Sequence, residues 1–219
     1  MNIAYFMHIG ALNNFRPILE ELVKTSKPLL DLCSDKFFYA NCVEADILEV
    51  SKVLDSCGIK DYTLVDNKSN DWEYVTLEKL YDYAKTCKEN TKIIYTMTKG
   101  VNRIGVNECI EDWRQYMTYF LVERFDLSLK ALEEFETIGV DLVTEPEKHY
   151  SGNFWGATSD YIKRLKHPRE VRFTNLDSYR HRNEFWICST EGKHGCLHNS
   201  GINVYERHLH RYPRSLYAV

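Results

Sequence analysis

Four short apolar runs, each followed by an amphipathic helix, fill the first hundred residues, and that alternation leaves few folds open. Residues 3–9 (IAYFMHI) end at Gly10 as a buried strand ends at a turn. Asn13 or Asn14 can cap a helix with Ile18, Leu19, Leu22 and Val23 on one side, its end disturbed by Pro28. Residues 37–43 read as a second strand. Asp46, with Glu49 in capping-box spacing, opens a helix whose stripe is Ile47, Val50, Leu54 and Cys57, stopped at Gly58. Residues 62–65 and 92–97 give the third and fourth strands. Between them lies a helix capped by Asn70 and striped with Leu77, Leu80, Ala84 and Cys87. Repeated strand–helix units predict an α/β fold, a mostly parallel central sheet flanked by helices. Ligands of such sheets sit beyond the carboxyl ends of the strands: here His8–Ile9–Gly10, residues 41–44, Asp66–Asn67 and Thr98–Lys99–Gly100.

The second half changes character. The spacing of Trp113, Met117, Leu121, Phe125, Leu129 and Leu132 predicts one long helix over 111–135, broken by Gly139. Then follow an apolar VDLV, a polar turn at 145–147, the segment HYSGNFWGA, short helices at 159–165 and 183–187, and a His-rich tail. With no repeat and no linker, residues 1–219 read as a single domain. A net charge of −4 gives no broad attraction to nucleic acid. Basic residues gather after residue 160, as in Lys163–Arg164 and Arg180–His181–Arg182, and read as a solvated face. No apolar stretch is long enough to span a bilayer, and no basic region precedes the first apolar run. Seven cysteines without a C-x-x-C pair fit a reducing compartment, so a bacterial or host cytosol is expected.

Four segments could carry chemistry. Thr98–Lys99–Gly100 would let the backbone approach a phosphate and supply a compact cation, although a Lys–Gly turn after a strand is usually only a turn. Ser151–Gly152–Asn153–Phe154–Trp155 offers aromatic faces and hydrogen-bonding groups for a sugar, or forms a core strand with a tight bend. Glu184 beside Phe185 and Trp186 could be a desolvated general base, or a carboxylate on an amphipathic helix. His194-x-Cys196-x-His198 holds zinc-ligating groups but lacks a paired C-x-x-C, and His198 alone could reach a diphosphate or its metal.

In order along the chain, these segments resemble a family of glycosyltransferases from polysaccharide clusters and large DNA viruses, with rhamnan-synthesis transferases as more distant relatives. The matching residues are Thr76–Leu77, Thr98–Lys99–Gly100, Asp112–Trp113–Arg114 with Met117, Tyr119 and Phe120, and His149 through Trp155. They continue with Tyr161–Ile162, Glu184 through Ile187, and Leu197–His198-x-Ser200–Gly201.

The resemblance implies a GT-A type of fold, with a nucleotide-binding half (about 1–105) and an acceptor-binding half (about 106–219). It implies transfer of a hexose or deoxyhexose from a nucleoside-diphosphate sugar, preferably UDP-linked, onto a glycan, in polysaccharide biosynthesis or protein glycosylation. On this reading His8, Ile9, Gly10 and Asp66 lie near base and ribose. Lys99 and Arg114, with Thr98, Gly100 and His198, meet the diphosphate. Ser151, Gly152, Asn153, Phe154, Trp155 and Trp186 hold sugar or acceptor, and Glu184 is the base of an inverting reaction. Met97 replaces the family's usual His, and Gly156 a second Trp, which implies altered donor contacts and a differently shaped sugar pocket. The fourth strand lacks the Asp-x-Asp pair that often holds Mn2+ or Mg2+. The acidic pairs Glu44-x-Asp46 and Asp71-x-Glu73 read as helix-start residues. Either a metal or Lys99, Arg114 and a histidine must then neutralise the diphosphate. The alternative is a non-catalytic sugar- or nucleotide-binding module of a larger glycosylation system.

Overall fold

The computed structural model describes residues 2–42, 45–67, 71–172 and 181–218. Strand β1 (Ile3–Gly10) lies at the centre, flanked in parallel by β2 (Asp35–Asn41) and β4 (Lys92–Met97), with β3 (Thr63–Asp66) beyond β2. The connecting helices are α1 (Phe15–Leu30), α2 (Ile47–Ser56) and α3 (Tyr74–Thr86). The second half adds β5 (Thr137–Val140), β8 (Trp155–Thr158) and β9 (His194–His198) to the same sheet, plus a small ribbon of β6 (Leu142–Val143) and β7 (His149–Tyr150). The sheet order is β3-β2-β1-β4-β8-β5-β9. Only β8 runs against its neighbours. The result is a mostly parallel, GT-A-like α/β sheet flanked by helices.

Alternation along β1 builds the two layers. Ile3, Tyr5, Met7 and Ile9 face a core shared with α1, α2 and the helices after residue 108. Ala4 and Phe6 face a second core with Leu77, Leu80 and Ala84 of α3 and with Tyr95, Trp155, Tyr161 and Trp186. Asp46 caps α2 by accepting from the Leu48 amide at 2.9 Å. Glu49 does not complete a capping box; it pairs with Arg16 at 2.7 Å. Helix α1 runs on through Pro28 to Leu30. Asn70, Glu44, Val43 and Arg180 lie outside the described residues.

The long helix expected over 111–135 is three pieces: α4 (Glu108–Thr118), a π-helical turn (Tyr119–Glu123) and α5 (Phe125–Ala131). Hydroxyls accompany the change of register: Thr118 donates back to the Arg114 carbonyl at 2.8 Å, and Ser128 to the Phe120 carbonyl at 2.9 Å. Gly139 breaks no helix. It sits inside β5, where an added Cβ would meet the Tyr150 ring at 2.6 Å. Two short helices, α6 (Ser159–Ile162) and α7 (His181–Trp186), join the α3 layer. Among the described residues, no helix is long and apolar enough to cross a membrane.

Residues after β9 fold back over α4. The Arg207 guanidinium pairs with Asp141, and both are buried. Arg211 bonds Asp112 at 2.6 Å, and Arg214 bonds Glu123 at 2.5 Å.

Candidate functional site

Strands β1 and β2 end level, Gly10 pairing with Asn41, and β4 ends two residues short of them, Met97 pairing with His8. Beyond those ends opens a cavity of about 430 Å3. Its floor is His8, Gly10, Asn41, Met97 and Thr98, and Lys99 through Arg103 curl over one side. The walls come from both layers: Trp72 and Glu73 from the start of α3, Ile110 and Trp113 from α4, with His208 from the tail.

The turn after β4 is cross-braced. The Gly10 amide donates to the Thr98 hydroxyl at 2.8 Å, and Asn13 Nδ2 to the Val101 carbonyl at 2.8 Å. Gly100 has φ +97°, a conformation L side chains rarely adopt, and a Cβ there would meet Ile110 at 2.9 Å. Arg114, 2% exposed, donates to the Lys99 carbonyl at 3.3 Å and to Glu21 at 2.8 Å. It holds the turn from behind and does not line the cavity. Lys99 Nζ sits 3.9 Å from the centre of the Trp113 ring, a cation–π contact that places the charge on the cavity wall. Arg103 adds a second cation to the lining.

His8 is buried, and burial pushes its imidazole down to about 4, so it is neutral at pH 7. Its Nδ1 is 2.9 Å from the Thr76 hydroxyl. It therefore supplies polarity to the cavity and no charge. Glu73 is 5% exposed. It stands at the start of α3 as the Asp71-x-Glu73 pattern implies, but makes no capping bond. Its Oε2 accepts instead from Asn153 Nδ2 at 3.3 Å. Trp72, in a left-handed conformation (φ +51°), lines the cavity and is 41% exposed. Two lining polar atoms, Asn41 Oδ1 and Trp113 Nε1, are buried and have no hydrogen-bond partner among the described residues.

The Ser151–Trp155 bend offers no face to the cavity. Ser151, Asn153, Phe154 and Trp155 are buried, and Trp155 stacks on Tyr95 with centroids 4.9 Å apart. The bend is a core turn that supports the site from behind. Gly152 packs against Met117 and Trp113, and Asn153 reaches Glu73. Gly156 pairs with Ile94 and Ile138 mid-sheet and does not line this cavity. Trp186 is core, donating to the Lys166 carbonyl at 3.0 Å. Ile9 is fully buried, and half-buried Asp66 ends β3; neither lines the cavity. Glu184, half-buried on α7, is not among the lining residues either. It shares with Glu73 an influence on Tyr95, whose hydroxyl burial pushes far up, the two carboxylates adding to the rise.

His194, Cys196 and His198 are alternate residues of β9, and the strand rise sets the two histidine backbones about 13 Å apart. Each turns to its own neighbour. His194 Nδ1 lies 2.7 Å from the Thr137 hydroxyl, and His198 Nδ1 lies 2.9 Å from the Tyr116 hydroxyl. His198 stacks on Phe120, and burial lowers its pKa. It does not line the cavity. Among the described residues, no three His, Cys, Asp or Glu side chains gather as a metal site. Among the described residues Glu73 is the one carboxylate that lines the cavity.

The strand ends read from the sequence bring out His8, Gly10, Asn41 and Thr98–Gly100 in the lining, and the site residues read from it miss Trp72, Glu73, Arg103, Trp113 and His208. A signal existed for Trp113, inside the Trp-Arg helix motif. None existed for His208, which arrives by a fold-back of the tail.

Fold and site together define a GT-A-like α/β protein with a cation-rimmed cavity at the carboxyl edge of its parallel strands. The chain belongs to the family described as a domain of unknown function, DUF8361, whose model matches residues 15–203. No curated protein matches it. Among solved structures it is similar to the bifunctional IspDF from Campylobacter jejuni, at 9% identity and a TM-score of 0.42. That likeness covers 89% of this chain and 48% of the other, so the chain spans about half that protein's length.

Proposed function

We propose that the chain transfers a sugar, a hexose or deoxyhexose, from a nucleoside diphosphate, preferably UDP, to a glycan acceptor. The observation that carries this reading is the cavity itself: a parallel-sheet edge whose Thr98–Lys99–Gly100 turn and Arg103 set two cations beside buried polar atoms that have no partner among the described residues. Unmet polar groups in a cavity wall suit a polar ligand. Lys99 and Arg103 both line the cavity and would stabilise the charge of a departing diphosphate, the largest contribution such a site usually makes. Trp72 and Trp113 supply flat apolar faces on either side. The resemblance implies Glu184 as the base of an inverting reaction, but Glu184 does not line the cavity.

The test is incubation of the purified protein with a panel of UDP- and dTDP-sugars, with and without Mn2+. Free nucleotide is expected from at least one donor, with release cut at least tenfold in Lys99→Ala. Donor binding without release from any member would favour a non-catalytic binding module. Neither binding nor release would contradict the proposal.

A further inference from the structure

We propose that Glu73, and not Glu184, takes the proton from the acceptor hydroxyl, held in place by Asn153 and Trp155. This rests on the transferase reading of the cavity. Among the described residues Glu73 is the only Asp or Glu that lines the cavity, and it enters from the α3 layer while Trp113, under Lys99, enters from the α4 layer. The cavity thus holds a carboxylate at the start of α3 and, on the turn after β4, a cation laid against Trp113 of α4. That is the arrangement a displacement needs, with the proton leaving toward one wall and the anion toward the other.

The geometry also fixes which way Glu73 is held. An indole nitrogen can only donate, and Trp155 Nε1 meets Asn153 Oδ1 at 2.9 Å. The Asn153 oxygen is therefore used, and its NH2 must be the group that reaches Glu73 Oε2 at 3.3 Å. Trp155 in turn is locked by stacking on Tyr95 and by full burial. A rigid aromatic pair thus sets an amide, and the amide sets a carboxylate oxygen. Supporting shells of this kind hold reactive groups to geometry. Beside Glu73 the backbone is strained at Trp72, where a bulky, exposed residue that lines the cavity keeps φ +51°. Such strain persists where the surroundings enforce it, and here it sets an aromatic face next to the carboxylate. The Ser-Gly-Asn-Phe-Trp segment then acts through Glu73 and not by touching sugar. Asn153 is a positioning residue.

In the step itself the acceptor oxygen bonds to the anomeric carbon while its proton passes to the Glu73 carboxylate. The bond from that carbon to the diphosphate oxygen breaks, and its electron pair leaves on the nucleoside diphosphate beside Lys99. With water as acceptor the same balance gives free sugar and nucleotide, so donor hydrolysis reads the step without a known glycan.

The experiment measures nucleotide release and donor affinity for Glu73→Gln, Glu73→Asp and Glu184→Gln, using the UDP- or dTDP-sugar that the wild type hydrolyses. Glu73→Gln is expected to slow release at least a hundredfold with affinity within threefold of wild type, and Glu184→Gln to stay within about fivefold. Glu73→Asp, with its carboxylate drawn back one methylene, is expected to lose at least tenfold and to flatten less of the pH profile than Glu73→Gln. If Glu73→Gln does not fold, the aspartate variant decides: a tenfold loss at unchanged affinity supports the assignment, and a normal rate overturns it. Near-normal release by folded Glu73→Gln, or loss confined to Glu184→Gln, overturns the assignment and leaves the transferase standing. A wild type silent on every donor removes both.

Discussion

Asp141→Asn is expected to lower the free energy of unfolding by about 3–5 kcal/mol and the midpoint of thermal unfolding by on the order of 10 °C. Asp141 follows β5 in a left-handed conformation, φ +46°, which asparagine adopts as readily, so the substitution removes charge and little else. The carboxylate accepts from the Ser200 amide at 2.7 Å, from the Tyr116 hydroxyl at 3.2 Å, and from Arg207. Arg207 is 1% exposed, and its Nε and Nη1 have no hydrogen-bond partner among the described residues. Its remaining support is the face of Tyr116, 4.6 Å from the guanidinium carbon, and that of Tyr212 at 5.3 Å. Without Asp141 a buried charge is left uncompensated, and that is the costly half of a buried pair. The double variant Asp141→Asn/Arg207→Met should therefore recover much of the loss, because no orphaned charge remains. Urea unfolding of the three proteins checks this. A loss under 1 kcal/mol in the single variant, or no recovery in the double, would show that the tail is held by other contacts. The effect reaches function through His208, next to Arg207, which the clamped tail brings to the cavity.

Gly152→Ala is the second large effect, about 2–4 kcal/mol of stability together with weaker donor binding. Gly152 has φ +92°, where an L side chain costs roughly 1 kcal/mol or more. The new Cβ would also lie 2.4 Å from Met117 Sδ and 3.1 Å from Trp113 Cζ2. Met117 is fully buried, so it can yield only by pushing its neighbours, and overpacking of that kind costs about 1–3 kcal/mol. Trp113 carries Lys99 on its other contact, so a displaced indole moves the cavity's cation. Gly105→Ala is the control. Its φ is +83°, but nothing lies within 4 Å of the added carbon, so only the backbone cost of roughly 1 kcal/mol remains. Calorimetric unfolding and donor titration of both variants separate the two costs. Equal losses at 152 and 105 would mean that the Met117–Trp113 packing does not transmit to the site.

The first half of the fold was legible because its code is local. Period-two strands and period-3.6 helices alternate, and each apolar stripe found the layer its spacing implied. Legibility fell where tertiary packing overrode period. The stripe from Trp113 to Leu132 keeps helical spacing across a π turn, which no periodicity reports. Gly139 punctuates the sequence like a helix breaker, yet it is glycine because Tyr150 crosses β5 there. The site divides in the same way. Residues at strand ends, His8, Gly10 and Thr98–Gly100, follow from topology alone. The Ser-Gly-Asn-Phe-Trp segment has the composition of a sugar platform, but its rings are buried and its reach to the cavity runs through Glu73 and Trp113. Glu73 itself looked like a helix-start residue, and only the fold turns its carboxylate to Asn153.

The central claim is that the carboxyl edge of the parallel strands holds a nucleoside-diphosphate sugar. The most direct measurement is a titration of isotope-labelled protein with UDP- and dTDP-sugars, followed by amide chemical shifts. Saturable shifts centred on Gly10, Asn41, Thr98, Gly100 and Trp113, abolished for the diphosphate end by Lys99→Ala, are the predicted result. Shifts confined to other surfaces, or none with any donor at millimolar concentration, would contradict it.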